Sequence, residues 1–441
     1  MTARLSSIVT MPFMRGTWEA SSMLSAARPS EDRHAMTTPS SERAVATTTR
    51  RELLGLTAAW IATAAVRPFG HAGARPASTP ETRNAIAEIL PRFAYVGSFA
   101  TSTRGAHGEG LSVYAIDAAT GLWSRVQLLS SVINPGYLAL DPRRPVLYAV
   151  QPVANEVSAF AIDTRSGELT LINRQPSGGN DPSHLAIDPT GRFLVAANYV
   201  AGTVEVLPVN ADGSLGAPTD VVATKGEPGP HRTEQPGPHP HQCPFDPSGR
   251  FVVVPDKGFD RLFIFTIDSA KGTLVPADPP FTRTRSGAGP RHIAFHPRLP
   301  YAWVINELDS TVTAYRFGHT GTLEAIQIVP SLPSTFTGDN TGAAIVVSPS
   351  GRFVYASNRG HDSVAIFRVD ESNGMLSPVG WESTKGSTPR FIGLTPAGTR
   401  LFAANQRSDS IVEFQVDQAT GTLSATGQVV KVNTPVCIVF R

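Results

Sequence analysis

One template recurs six times along the chain. "YLALDPRRPVLYAVQ", "HLAIDPTGRFLVAAN", "QCPFDPSGRFVVVPD", "HIAFHPRLPYAWVIN", "AIVVSPSGRFVYASN" and "FIGLTPAGTRLFAAN" each read as apolar strand, proline turn, apolar strand and polar end. The turn prolines Pro142, Pro189, Pro247, Pro297, Pro349 and Pro396 are 47, 58, 50, 52 and 47 residues apart. Most copies continue into a third strand ("STVTAYRF", "DSVAIFRVD", "DSIVEFQVD") and then through a "TG.L" or "DG.L" turn into a fourth. Four short antiparallel strands repeated at about 50 residues are the signature of a β-propeller blade.

The six copies leave a remainder at each end. Early in the repeat region "FAYVGSF", "LSVYAID" and "GLWSRVQLL" match second, third and fourth strands, and the final "TPVCIVF" matches a first strand. The sequence therefore predicts an all-β, seven-bladed β-propeller over residues 92–441, with four antiparallel strands per blade and the last blade closed by both termini. Closure removes the exposed edges that an open array would leave. Two separate β-sandwich domains, the competing architecture, do not explain why the end supplies just the strand that the start lacks.

Length alone leaves the domain count open at 441 residues. The formal net charge of +2, with 38 Lys and Arg against 36 Asp and Glu, argues against a polyelectrolyte partner such as nucleic acid. Any attraction for an anion must be local. Cys243 and Cys437 fall in first strands of the third and seventh blades, which are not neighbours in the ring. They read as buried apolar-like side chains rather than a disulfide.

The first ninety residues carry no alternating strand pattern. Within "TTTRRELLGLTAAWIATAAVRPFGHAGARPAS" stand a twin arginine (Arg50, Arg51), an apolar run over 53–66 and "AGA" at 72–74 as a small-residue cleavage site. Residues 36–74 are read as a twin-arginine export signal, with Met36 as the start, 1–35 as an extension without export features, and 75–91 as a linker. The apolar run is about 14 residues, short of the roughly 20 that a membrane span needs. The expectation is an exported protein with no membrane span in its mature form. A disordered tail with a chance Arg-Arg pair is the alternative, and it would leave the protein in the cytoplasm.

The first two strands of a blade are antiparallel, so the start of the first and the exit of the second share one mouth of the ring. Nine residues after each turn proline stand Gln151, Asn198, Asp256, Asn306, Asn358 and Asn405, a polar row that reads as turn capping. Ten residues after it the row breaks: Pro152, Tyr199, Lys257, Glu307, Arg359 and Gln406. Six residues before it stand Gly136, Ser183, His241, Arg291, Ala343 and Arg390, and the next row adds His184, Gln242 and His292. The repeat demands none of these charges, and polar residues that differ from blade to blade at one mouth point to an asymmetric site.

The longest step holds the insertion "KGEPGPHRTEQPGPHPHQ" over 225–242, which delivers His239 and His241 to that mouth. Two histidines at i, i+2 raise a metal site, but no third ligand stands at close spacing and Pro240 favours an extended loop. No metal is expected. His296 stands where three other blades carry Asp before the turn proline and reads as a turn residue; His361, after "NRG", reads as a rim residue.

"HPHQCPFDPSGRFVVVPDKGFDR", "GAGPRHIAFHP", "INELDSTV", "SPSGRFVYASNRGHDSVAIF" and "PRFIGLTPAGTRLFAANQRSDSI" resemble the seven-bladed lactonase family, which includes one type of 6-phosphogluconolactonase and the fungal 3-carboxymuconate lactonizing enzyme. The resemblance covers about residues 92–441. It implies a site in which Arg291 of "GPRH", Glu307 of "NEL" and His241 of "HPHQ" are catalytic and Arg359 of "SNRG" binds substrate. These coincide with the variable rows. His292, Lys257, Arg390, His239 and Asn306 join Arg359 as substrate-binding candidates.

The resulting expectation is hydrolysis of a small anionic sugar-acid lactone by a monomeric enzyme that needs no cofactor. Glu307 or His241 would act as general base on water, and the cations would bind a carboxylate or phosphate and stabilise the oxyanion. Two readings compete: a secreted binding or scaffold propeller without catalysis, and an isomerase that forms or opens a muconolactone. The export signal departs from the family pattern, since 6-phosphogluconolactone arises in the cytoplasm.

Overall fold

In a computed structural model of the chain, which describes residues 90–102 and 105–441, the strands form seven sheets. The expected export signal, the expected linker up to residue 89 and the expected start at Met36 lie outside the described residues. Blade 1 is Tyr137–Leu140, Val146–Gln151, Glu156–Ile162 and Leu169–Pro176, and blades 2 to 6 follow in chain order. Blade 7 joins Pro435–Phe440 to Phe93–Ser98, Leu111–Ile116 and Trp123–Leu129.

Burial follows strand position. The second strands Val146–Gln151, Phe193–Asn198 and Tyr301–Asn306 are buried at every residue, because blades pack on both of their faces. The outermost strands, such as Leu169–Pro176 and Leu323–Pro330, alternate or face solvent. The turns between first and second strands are tied by an acceptor before the proline. An Asp141 carboxylate oxygen accepts the amides of Arg143 and Arg144 at 2.8 and 2.9 Å. In blade 4, His296 Nδ1 replaces that oxygen and accepts the amides of Arg298 and Leu299 at 3.0 and 2.8 Å. This explains a histidine at a position where aspartate recurs.

Blade 3 departs from the template. Its sheet has three regular strands, Val252–Asp256, Arg261–Asp268 and Thr273–Arg283. The innermost segment pairs only through isolated bridges, Pro240 with Asp256 and Phe245 with Val252. Pro240 and Pro244 have no amide proton to give to a ladder, so a continuous strand cannot form. The backbone bonds that remain are Lys257 N to His239 O at 3.0 Å, His241 N to Pro255 O at 2.9 Å, Val253 N to Pro244 O at 3.1 Å and, at the turn, Asp246 N to Phe251 O at 2.9 Å.

The ring closes as expected. Ala94, Tyr95, Val96 and Gly97 pair with Phe440, Val439, Ile438 and Cys437. Phe93 and Arg441 exchange two backbone bonds of 2.9 Å. Both cysteines are buried free thiols. Among the described residues no helix is long and apolar enough to cross a membrane.

Candidate active site

The mouth formed by strand starts and exits holds a cavity of about 210 Å³. Its polar wall is Glu307, His241, Arg359, Arg390, Asp181, Ser183 and Tyr199; Phe99, Pro152 and Pro182 line the rest.

Glu307 is the first residue past the second strand of blade 4. Its amide donates to Gly289 O (2.7 Å) and its carbonyl accepts Gly342 N of blade 5 (3.0 Å), which fixes it at a seam between blades. Its Oε2 lies 2.9 Å from Arg291 Nε and 3.2 Å from an Arg359 terminal nitrogen, and its Oε1 lies 3.3 Å from Lys257 Nζ. Arg291 Nε is not aligned into a hydrogen bond, so that contact is one of charge alone. Burial pushes the Glu307 carboxyl up, but Arg359, Lys257, Arg291 and Arg390 outweigh it and hold the group well below the usual carboxylate range. Glu307 is a fixed anion.

His241 comes from the irregular strand of blade 3. Its imidazole is buried, touches Tyr199 and His292 edge-on, and has no partner at Nδ1. Burial first, then the charges of Arg291, Arg390 and Lys257, drive its pKa well below the ordinary histidine value. It is a neutral imidazole at neutral pH, and its Nδ1 is buried without a partner.

Of the nine candidates named from the sequence, four line the cavity: Glu307, His241, Arg359 and Arg390. Arg359 also donates to Gly342 O at 2.9 Å, and the Arg390 guanidinium lies 5.3 Å from the centre of the Phe99 ring. Arg291 sits behind Glu307, only 2% exposed, and donates through one terminal nitrogen to Ala343 O (2.6 Å) and His292 Nε2 (3.1 Å). His292, thus proton-bearing at Nδ1 when neutral, faces a deeper channel cavity lined also by Tyr137, Gln242 and Phe391. Lys257 is buried between Glu307 and Glu234, 2.7 Å from the latter. His239 stacks on Tyr199, with centroids 4.4 Å apart and planes 10° apart, and so buttresses that wall. Among the described residues no group of three or more His, Cys, Asp or Glu could hold a metal ion.

Asn306 lies outside the cavity wall. Its Nδ2 donates to the hydroxyls of Thr311 and Thr313 at 2.9 and 3.0 Å. Gln151 makes the same tie to Ser158 and Asn198 to Thr203. Asn306 therefore fastens second strand to third, as the capping row implies.

Asp181, Ser183 and Tyr199 are cavity residues that were not among the candidates. Ser183 and Tyr199 stand in the two variable rows. Asp181 occupies the position eight before the turn proline, where Asn134, Gly289 and Thr388 stand in other blades. All four have positive φ, between 53° and 63°, so the left-handed turn recurs in blades 1, 2, 4 and 6 while the carboxylate is particular to blade 2. Extending the row comparison by two positions finds it.

The family model described as "Lactonase, 7-bladed beta-propeller" matches residues 93–440. A 6-phosphogluconolactonase of Bacillus subtilis is 38% identical over 305 residues, which is 67% of this chain and 84% of the relative. One of Formosa agariphila is 33% identical over the same shares. Among solved structures, the periplasmic gluconolactonase of Pseudomonas aeruginosa superposes with a TM-score of 0.72 at 30% identity, covering 79% of this chain and 98% of that one.

Proposed function

The chain belongs to the seven-bladed β-propeller lactonase family and is a lactonase that hydrolyses a sugar-acid lactone, and from that premise we propose how the mouth cavity does so. His241 is the general base: its neutral imidazole takes a proton from water as the oxygen attacks the lactone carbonyl. Arg359 and Arg390 stabilise the oxyanion. When the ring C–O bond breaks, the imidazolium returns its proton to the departing oxygen, giving a hydroxy acid that ionises and leaves as the carboxylate. Glu307 is too weak a base for this work; it holds Arg359, Arg291 and Lys257 in place.

One observation carries the assignment: a neutral imidazole lines the same cavity as two guanidinium groups. Arg390, one of the cations that depress His241, is also one of the two that would face the oxyanion. The imidazolium is thus stabilised at the step that forms it. In His241→Gln the turnover of an aldonolactone should fall by about 10² to 10⁴, the usual contribution of general acid–base catalysis. Near-native turnover in the folded variant would move the base elsewhere. Failure of every lactone to turn over, with or without chelator, would favour a binding propeller.

Export is part of the proposal. The twin arginine at Arg50–Arg51 and the likeness to a periplasmic gluconolactonase support it. Mass spectrometry of the mature N-terminus would show cleavage after residue 74; exported protein with an intact end upstream of Arg50 would refute it.

A further inference from the structure

Beside the mouth cavity lies a groove of about 700 Å³, more than three times its volume, and Glu307 and Arg359 line both. The two spaces meet at that ion pair, yet their chemistry differs. Guanidinium groups and a neutral imidazole dominate the cavity, which suits the carbonyl end of a lactone and the carboxylate it becomes. The groove carries the acids Glu234, Asp339 and Asp362 besides Glu307, against Arg359 and Arg407. With Glu307 held by Arg291, Arg359 and Lys257, and Glu234 by Lys257, the wall is close to charge-balanced and offers a second anion no net attraction. The remaining polar groups are the imidazole of His231, the hydroxyls of Thr341, Ser387 and Thr388 and the amide of Asn340, with Leu308 as an apolar contact. Carboxylates, hydroxyls and amides mixed at this density match a neutral ligand that both donates and accepts hydrogen bonds at many points.

From this pairing we infer that the groove is a second sugar subsite, and that the preferred substrate is an aldonolactone carrying a further glycosyl unit. The inference rests on the lactonase reading of the mouth cavity and deepens it. The lactone ring lies against Arg359, Arg390 and His241, and the uncharged sugar extends past Glu307 into the groove. A phosphate placed in the groove would meet Asp339 and Asp362 along with Arg407, with no surplus of positive charge.

The test compares hydrolysis by the full chain of glucono-1,5-lactone, its 6-phosphate and lactobionolactone, a glycosylated aldonolactone. Lactobionolactone should show a kcat/KM higher than gluconolactone by at least about tenfold, mainly through KM, as one hydrogen bond to a charged group can supply. The 6-phosphate should gain less. Equal or lower kcat/KM for lactobionolactone, with gluconolactone turned over, overturns the subsite. Asp339→Trp, at an exposed position, fills the groove and should erase most of the preference; Arg407→Trp serves if the first variant misfolds. A preference that survives in either folded variant also overturns it. If no lactone is hydrolysed, the lactonase reading fails by itself and calorimetry decides the groove. Lactobionate binding tighter than gluconate then supports the sugar subsite, and equal or weaker binding removes it.

Discussion

At Glu307 three cations lie within 3.3 Å of one carboxylate, and two of them, Arg291 and Lys257, are almost fully buried. The sequence row suggests a tolerant position, since Pro, Tyr, Lys, Arg and Gln stand there in other blades. The surroundings remove that tolerance. Glu307→Gln leaves Arg291 buried without a carboxylate and Lys257 with Glu234 alone, so stability should fall by about 3–5 kcal/mol in denaturant unfolding, the cost of breaking a buried ion pair on one side. An unchanged midpoint would mean the cations have found other acceptors. The pH dependence of kcat/KM tests His241. Its imidazole stays neutral well below 6.5, so activity should hold as pH drops through that value; an acid limb at 6.5 or above would exclude it as the base. Away from the site, Glu205 is fully buried, with Oε2 accepting the Gly178 amide and Oε1 unpartnered. Burial raises its pKa from 4.5 to about 7. The unfolded chain ionises first, so this group's contribution falls as pH rises from 4.5 to about 7 and then levels off, by roughly 3 kcal/mol at most. Glu205→Gln should flatten that part of the stability profile, and a profile identical to wild type would place the ionisation elsewhere.

At the scale of elements, the insertion over 225–242 is built against one turn of blade 3. Gly229 N donates to Gly258 O at 2.8 Å, Gln235 Nε2 to Lys257 O at 2.8 Å, and Lys257 N to His239 O at 3.0 Å. A Cβ on Gly258 would collide with the Gly237 carbonyl, so the chain passes where a side chain cannot. Gly258→Ala should therefore shift the insertion and its histidines, lowering activity far more than the melting temperature; full activity would show that the loop can yield. The proline turns, the strand pairs and the mouth were legible in the sequence because each rests on local spacing. The same spacing brought Glu307, His241, Arg359 and Arg390 to one cavity. It could not show that Arg291 lies behind Glu307, or that Lys257 is capped by Glu234 from the insertion. Those facts depend on how a long loop packs, and no periodicity encodes that. The unformed inner strand of blade 3 was readable in principle from Pro240 and Pro244, which the template match to "QCPFDPSGRF" obscures.

For the whole molecule, the ring depends on its last strand. Deleting residues 435–440 strips Phe93–Ser98 of its inner partner and opens blade 7. The truncated chain should lose cooperative melting, and a native-like transition would mean that blade 7 closes without it. The same closure sets a schedule for synthesis. Phe93–Ser98 emerges early and Pro435–Phe440 last, so at about 5–20 residues per second the first strand waits roughly 20 to 70 s for its neighbour. Throughout that interval a half-made blade presents an unpaired edge to every other nascent chain nearby. Yield should therefore depend on ribosome speed and chaperone supply, and a circular permutant that starts at a boundary between blades should be less sensitive to both.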